Sequence, residues 1–262
     1  MSNKINLTKK ENLAKEIYNA EKNLTPIEPL KTRYSNLKVE DAYEIQRINE
    51  NKKKDKEVIK GRKIGLTSKS MQEMFNVNEP DYGYFTDQML SFNPDLNLKS
   101  FIQPKIEAEL SFLLKKDLEG TAVNYLDVLD STSFIIPVFE IIDSRIKNWD
   151  IEIEDTIADN ASCGMIIVGS KYIDIKDIDL LTTGLILKKN GQIFDSAVSS
   201  DVMGNPAKAV AWLANKLAKY GQSLKSGQLI LSGSLTSAKK IKKGDRWQAI
   251  FGGIGDVNAC VF

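Results

Sequence analysis

The chain has 262 residues, 42% of them hydrophobic, with 36 Lys and Arg against 35 Asp and Glu, a net charge of +1 and no histidine. That length supports one large core, or one domain with a smaller companion, and the balanced charge gives no basis for a nucleic-acid or anionic-membrane partner. The missing histidine removes Ser-His-Asp and Cys-His nucleophiles, histidine zinc sites and facial-triad irons together; any metal must sit on oxygen ligands, which favours magnesium, manganese or calcium.

The first residues, MSNKINLTKKENLAKE, carry no signal-peptide apolar region, and no apolar run is long enough to span a membrane. A cytoplasmic protein is expected. Thr8 followed by Glu11 has the spacing of a capping box, with Leu13 and Ile17 on one face of a helix over about 9–23 and Leu24 beyond it. Thr25–Pro29 breaks it. A second helix is predicted from Val39 to about Asn51, with Ala42, Tyr43, Ile45 and Ile48 inward. Lys52–Lys54, Lys56 and Lys60 read as a solvated helix end. Val58–Leu66 reads as a strand. Ser68–Phe75 reads as a short helix capped by Ser68 or Thr67, and Glu79–Gly83 as a turn.

From residue 101 strands dominate. Ile102–Leu114 and Phe134–Ile142 are strands, with a short helix at Val123–Leu129 between them. Asp155–Gly164 reads as a loop and Met165–Gly169 as a buried strand. Leu185–Asp195 is a hairpin turning at Asn190-Gly191. Asn205 caps a helix with Pro206 in its first turn, Val210, Leu213 and Leu217 on one face and Gly221 as its stop. Strands at Leu229–Ser232, Arg246–Phe251 and Val257–Phe262 close the chain. The expected fold is α+β, a mixed β-roll with a smaller N-terminal helical segment. Residues 1–95 form the helical and mixed segment and 96–262 the β-rich body.

Three carboxylates stand where a buried strand should have none. Glu107 and Glu109, two apart, share a strand face at roughly 6–7 Å. Glu140 sits in the apolar run IIPVFEII. A divalent cation would offset their mutual repulsion; the alternative is that the pair faces solvent and Glu140 pairs with a base such as Arg145. Lys63, among Ile64, Gly65 and Leu66, is a candidate proton carrier whose pKa would be lowered beside apolar residues and a carboxylate-bound metal, or else a snorkelling surface lysine. Asp81 is an acid–base candidate that turn chemistry explains equally well. Asn160 and Ser162 can donate hydrogen bonds to an anionic ligand. Cys163 and Cys260 have no metal or redox spacing and are expected to be reduced and packed.

GRKIGLTS (61–68), PDYGYFTDQM (80–89), QPKIEAEL (103–110), FEIIDSRIKNW (139–149), DTIADNASCG (155–164), AWLANKLAKYG (211–221) and LILSGSL (229–235) occur in one order. Together they resemble the 2-keto-4-pentenoate hydratase family of the fumarylacetoacetase-like superfamily, over nearly the whole chain from about residue 10. The resemblance implies a fumarylacetoacetase C-terminal-domain-like fold. It also implies a divalent metal, usually Mg2+ or Mn2+, held by Glu107, Glu109 and Glu140. It places the active-site lysine at Lys63 and the aspartate of the PD-aromatic-G motif at Asp81. Ser162, with Asn160 and Thr67 beside it, falls to substrate binding, Ser162 on the substrate carboxylate. One departure is Asn205, where related sequences often have histidine; as a helix cap it leaves the chemistry intact.

The activity so implied is hydration of 2-hydroxypenta-2,4-dienoate to 4-hydroxy-2-oxopentanoate, by ketonisation and then conjugate addition of water, in meta-cleavage aromatic catabolism. The implied rivals are 4-oxalocrotonate decarboxylase, a hydratase of larger dioic acids, a carbon–carbon bond hydrolase, and a silent subunit of a hydratase–decarboxylase complex. Asp81 favours the hydratase, since related decarboxylases tend to be apolar there. A hydrolase usually needs a water-activating base, often the histidine this chain lacks. A homo-oligomer, with association to a decarboxylase, is expected.

Overall fold

The computed structural model describes residues 5–262. In chain order the elements are α1 (Leu7–Asn23), α2 (Leu30–Arg33), α3 (Val39–Lys54), β1 (Ile59–Gly65), α4 (Lys69–Met74), β2 (Asp81–Thr86), β3 (Leu90–Ser91), β4 (Asp95–Leu96) and β5 (Lys105–Leu114). There follow α5 (Tyr125–Ser131), β6 (Thr132–Ile142), α6 (Ile153–Ala158), β7 (Cys163–Val168), β8 (Ile173–Asp174), β9 (Gly184–Lys189) and β10 (Gln192–Val198). The chain closes with α7 (Pro206–Ala218), β11 (Leu229–Ser234), β12 (Lys239–Lys240), β13 (Arg246–Phe251) and β14 (Gly255–Val261).

One sheet runs β2-β1-β11-β5-β6-β7-β3, with β12 on β5 and β8 on β6; the second runs β10-β9-β13-β14-β4. The first sheet curls until β2 lies against β7. Its inner face is plugged by Phe85, Ile136, Val138, Ile166, Val168, Leu229 and Leu231. Its outer face, through Ala108, Leu110, Phe112, Phe139 and Ile141, joins the large core with α1, α3 and α7. β5 and β6 are therefore buried on both sides. The architecture is the α+β roll with helical N-terminal segment read from the sequence. β1 and β2, from within residues 1–95, pair into the same sheet as strands from 96–262. Among the described residues no helix is long and apolar enough to cross a membrane.

Local chemistry explains the elements and several departures. α1 is capped by Asn6, whose side chain accepts from the Lys9 amide, and not by Thr8, which lies inside the helix. Ser68, accepting from the Met71 amide, caps α4, so Thr67 is not the cap. The segment Glu79–Gly83 is not a turn: Asp81 opens β2, every residue of which is buried. Half of the expected loop at 155–164 is α6, where the Asp155 carboxylate accepts from its own cap residue Glu152 and from Leu30. Asn190 and Gly191 both take positive φ (53° and 83°), as a two-residue hairpin turn requires. Asn205 caps α7 by accepting from the Ala207 amide at 2.9 Å. Asn205→Ala should cost about 1 kcal/mol of unfolding free energy, as loss of an N-cap does, read by urea denaturation; an unchanged midpoint would show that the cap contributes nothing.

Candidate metal centre and active site

β5 and β6 run antiparallel in a register that sets Glu107 opposite Glu140 and Glu109 opposite Val138. Directly opposed residues share a face, as do residues two apart along a strand. The register thus puts all three glutamates on the inner face, at one end of the apolar plug. One carboxylate oxygen from each lies within 4.8 Å of the other two. Glu109 and Glu140 are 1% and 0% exposed, and neither oxygen of Glu140 has a hydrogen-bond partner. An all-oxygen donor set at this spacing, with Glu140 buried and unsatisfied, fits a hard divalent cation. The solvent-facing alternative for the pair does not hold. Nor does Glu140 pair with Arg145: its cation is Lys63, at 3.3 Å, while Arg145 pairs with Asp159.

Lys63 reaches Glu140 from β1, across the curl of the sheet. Two glycines make the approach possible. A Cβ at Gly65 would stand 2.2 Å from Asp81 Oδ1 and 3.5 Å from Lys63 Nζ, so Gly65 leaves the room that both side chains occupy. Gly233, at φ 110°, lies where a Cβ would strike Thr67 at 2.5 Å, and its N–H donates to Glu109 at 2.8 Å. The GRKIGL and SGS motifs are close-approach sites.

Burial and crowding set the charges. Desolvation first, then the Glu140 carboxylate, pushes Glu107 up to about 7. Desolvation and the same neighbours raise Glu109 well above the usual range; desolvation raises Glu140, against the pull of Lys63. Burial also raises Asp81 despite Lys63. Burial pulls the Lys63 pKa down, but the charges of Glu140, Asp81 and Glu107 outweigh burial, and the net direction is up. A divalent cation among the glutamates would offset those charges and leave burial in command.

Glu107, Glu109, Lys63, Asp81, Thr67 and Ser162 line one cleft of about 550 Å³, and Glu140, fully buried, sits beside it within 4.8 Å of the other two glutamates. Asn160, expected beside them, is turned away. Its amide accepts from Tyr84 N and donates to Tyr84 O, both at 2.8 Å, pinning the loop to β2. Residues 160, 161 and 162 all have left-handed backbones (φ 58°, 47° and 55°), a conformation costing roughly 1–2 kcal/mol per residue bearing a Cβ. The cleft also holds two residues given no role by the sequence reading, Lys105 and Trp149, with Lys105 Nζ 3.7 Å from the Trp149 ring centroid. The available signal was register: Lys105 lies two before Glu107 and so shares its face. Met71, Met74 and Phe75 of the α4 region form an apolar wall. Cys163 is buried against Glu140.

Residues 72–262 match the fumarylacetoacetate (FAA) hydrolase C-terminal family. The chain belongs to this family. It is 42% identical over 252 residues to 2-hydroxyhexa-2,4-dienoate hydratase of Comamonas testosteroni, covering 94% of each chain. It is 42% identical over 213 residues to 2-hydroxypent-2,4-dienoate hydratase of Pseudomonas putida, covering 80% of this chain and 96% of that one. Among solved structures, 4-oxalocrotonate decarboxylase from Pseudomonas putida G7, complexed with magnesium and adipate, superposes with a TM-score of 0.95 at 32% identity, covering 98% of this chain and 99% of that one.

The charge pattern has a measurable sign. Glu107, at about 7 in the folded state against an ordinary 4.5, holds a proton that the unfolded chain has released. A group raised in this way costs stability as pH rises from its unfolded to its folded value. Asp159, pushed up to about 6 by burial, acts in the same direction. Protein stripped of divalent cations should therefore be more stable at about pH 5 than at about pH 7.5, and added Mn2+ should reverse the order, since the metal needs the carboxylates deprotonated. Thermal unfolding with and without Mn2+ checks both; stripped protein that gains stability over this range would contradict the assignment.

Proposed function

We propose that the protein is a divalent-metal-dependent hydratase, converting 2-hydroxypenta-2,4-dienoate to 4-hydroxy-2-oxopentanoate. The observation that carries the reading is the convergence of Lys63, Asp81, Glu107 and Glu109 on one cleft, with Glu140 buried beside them and within 4.8 Å of the other glutamates. The hydratase names of relatives that align along nearly the whole chain support it. Glu107, Glu109 and Glu140 would hold Mg2+ or Mn2+, the former the ion in the decarboxylase complex. Bound there, the cation would supply Lewis-acid polarisation of the substrate's 2-oxygen.

The chain's own residues do the rest. Ser162 and Thr67, on the cleft wall, take the substrate carboxylate, Ser162 by turning its hydroxyl from its long 3.4 Å contact with Asp159 Oδ2. The proton of the 2-hydroxyl leaves and a proton is placed on C5, giving a 2-oxo-3-enoate whose C4 is electrophilic. Water then adds its oxygen at C4 and a proton is placed on C3. Lys63 and Asp81 are the proton carriers. Each is buried, each acts on the other's charge, and Asp81, its pKa raised, keeps a proton more readily than an exposed aspartate. The wall of Met71, Met74 and Phe75 suits the short apolar end of a mono-acid. We place the enzyme in the cytoplasm, as a homo-oligomer able to associate with a decarboxylase.

The second reading is 4-oxalocrotonate decarboxylation, favoured by the closeness of that fold. The deciding assay offers stripped protein, reloaded with Mg2+ or Mn2+, freshly generated 2-hydroxypenta-2,4-dienoate and, separately, 4-oxalocrotonate. Metal-dependent loss of dienoate absorbance with formation of the 4-hydroxy-2-oxo acid is expected. Carbon dioxide from the second substrate alone would establish the decarboxylase instead. Lys63→Ala and Asp81→Asn should each lower kcat by about 10²–10⁴-fold, the usual weight of a proton-transfer group, with metal content unchanged. A variant of full activity would remove that residue from the mechanism.

A further inference from the structure

The left-handed turn at 160–162 needs something to hold it, and the structure shows what does. Arg145, 2% exposed, lies behind the turn and outside the cleft. Its Nε donates to Asp159 Oδ1 at 2.5 Å, Nη2 to the Asp159 carbonyl at 2.5 Å, and Nη1 to the carbonyls of Asp143 at 2.7 Å and Cys163 at 2.9 Å. Its own amide donates to Asp159 Oδ2 at 2.9 Å. These contacts bracket the turn on both sides. Asp159 precedes it, and the Asp159 carbonyl accepts the Ser162 amide at 3.0 Å. Cys163 follows it. The Ser162 hydroxyl is tied to Asp159 Oδ2 at 3.4 Å, and its carbonyl accepts from the Asp143 amide at 2.7 Å. Residues with a Cβ seldom hold three consecutive left-handed conformations unless their surroundings dictate them.

We propose that Arg145 is a positioning residue for substrate capture. Through Asp159 it fixes the Asn160–Ser162 turn in the left-handed form that sets Ala161 and Ser162 in the cleft wall. It touches neither the substrate nor the glutamates. Substitution of its planar fork should therefore weaken binding of the substrate's carboxylate end and leave metal binding unchanged. Lysine is not an adequate substitute, because one ammonium cannot reproduce the directed donors of Nε, Nη1 and Nη2. This inference rests on the reading that Ser162 meets the substrate carboxylate.

The test uses the full-length protein loaded with Mg2+ and the saturated probe 2-oxopentanoate, which binds without turnover, measured by calorimetry. Arg145→Lys should weaken binding of the probe about tenfold, equivalent to one lost charge-assisted hydrogen bond, with Mg2+ affinity unchanged. Ala161→Gly added to Arg145→Lys should recover most of that loss, because glycine enters the left-handed region without penalty. In a Ser162→Ala background, Arg145→Lys should have little further effect. If Arg145→Lys does not fold, Asp159→Asn with and without Ala161→Gly applies the same logic. Wild-type affinity in Arg145→Lys would overturn the proposal. So would a loss that Ala161→Gly does not recover, since Arg145 would then act by some route other than the turn. No binding of 2-oxopentanoate by the wild type would overturn it together with the assigned role of Ser162. Failure of the wild type to hydrate the dienoate, with this pattern of binding intact, would reject the hydratase and leave the role of Arg145 standing.

Discussion

The site depends on one electrostatic constraint. Three carboxylates with oxygens within 4.8 Å of one another, two of them buried, cannot all be ionised without positive charge among them. The protein supplies Lys63, at 3.3 Å from Glu140, and Lys105, whose charge acts on Glu107. A divalent ion would supply the remainder. With no metal, the cluster answers by holding protons, hence the upward direction at Glu107, Glu109, Glu140 and Asp81. Metal binding, carboxylate protonation and the charge of Lys63 are therefore one coupled equilibrium. A proton carrier within such a cluster takes its pKa from the occupancy of its neighbours, which is a property useful to an enzyme that must both place and remove protons.

That cluster is expensive, and the architecture around it limits the expense to one end of a strand face. Further along β5 and β6 the same inner face carries Leu113, Ile136 and Val138, all apolar. The sheet curls so that β1, three strands away from β6 in sheet order, can extend a lysine to it. The curl brings side chains closer than their backbones would otherwise allow, and the glycines at 65 and 233 stand where any Cβ would collide. Replacing either would move Asp81 or Thr67 before it altered a glutamate.

Much of this was legible in the sequence, for identifiable reasons. Strand alternation put Glu107 and Glu109 on one face, and an isolated carboxylate in IIPVFEII marked Glu140; both signals are local and survive folding. Helix α7 and the Asn190-Gly191 hairpin announced themselves through caps and turn chemistry. The misreadings share a cause: the deciding contacts come from far away in the chain. PDYG has turn composition, but its backbone is claimed by β1, with Asp81 opposite Gly65. Asn160 sits in a polar loop, yet its amide is spent on Tyr84, 76 residues away. Thr67 and Ser68 competed for one cap, and only the backbone geometry separates them.

The N-terminal helices, remote from the chemistry in sequence, are part of its support. Gln46 on α3 donates from one amide nitrogen to Tyr82 O on β2 and to Ile157 O on α6, each at 2.9 Å. It thus ties the strand that begins with Asp81 to the helix that leads into the left-handed turn. Glu50 on the same helix forms a buried two-pronged pair with Arg62, the neighbour of Lys63. Glu21 on α1 pairs with Lys53 and adds its charge to the field around Arg145. Each buried polar group here would be costly if left unpaired, so detaching the helices would not merely trim the molecule. It would expose unsatisfied groups on both sides of the cleft at once. Lys63, Asp81 and the left-handed turn approach the glutamates from elements that the helical segment holds in place.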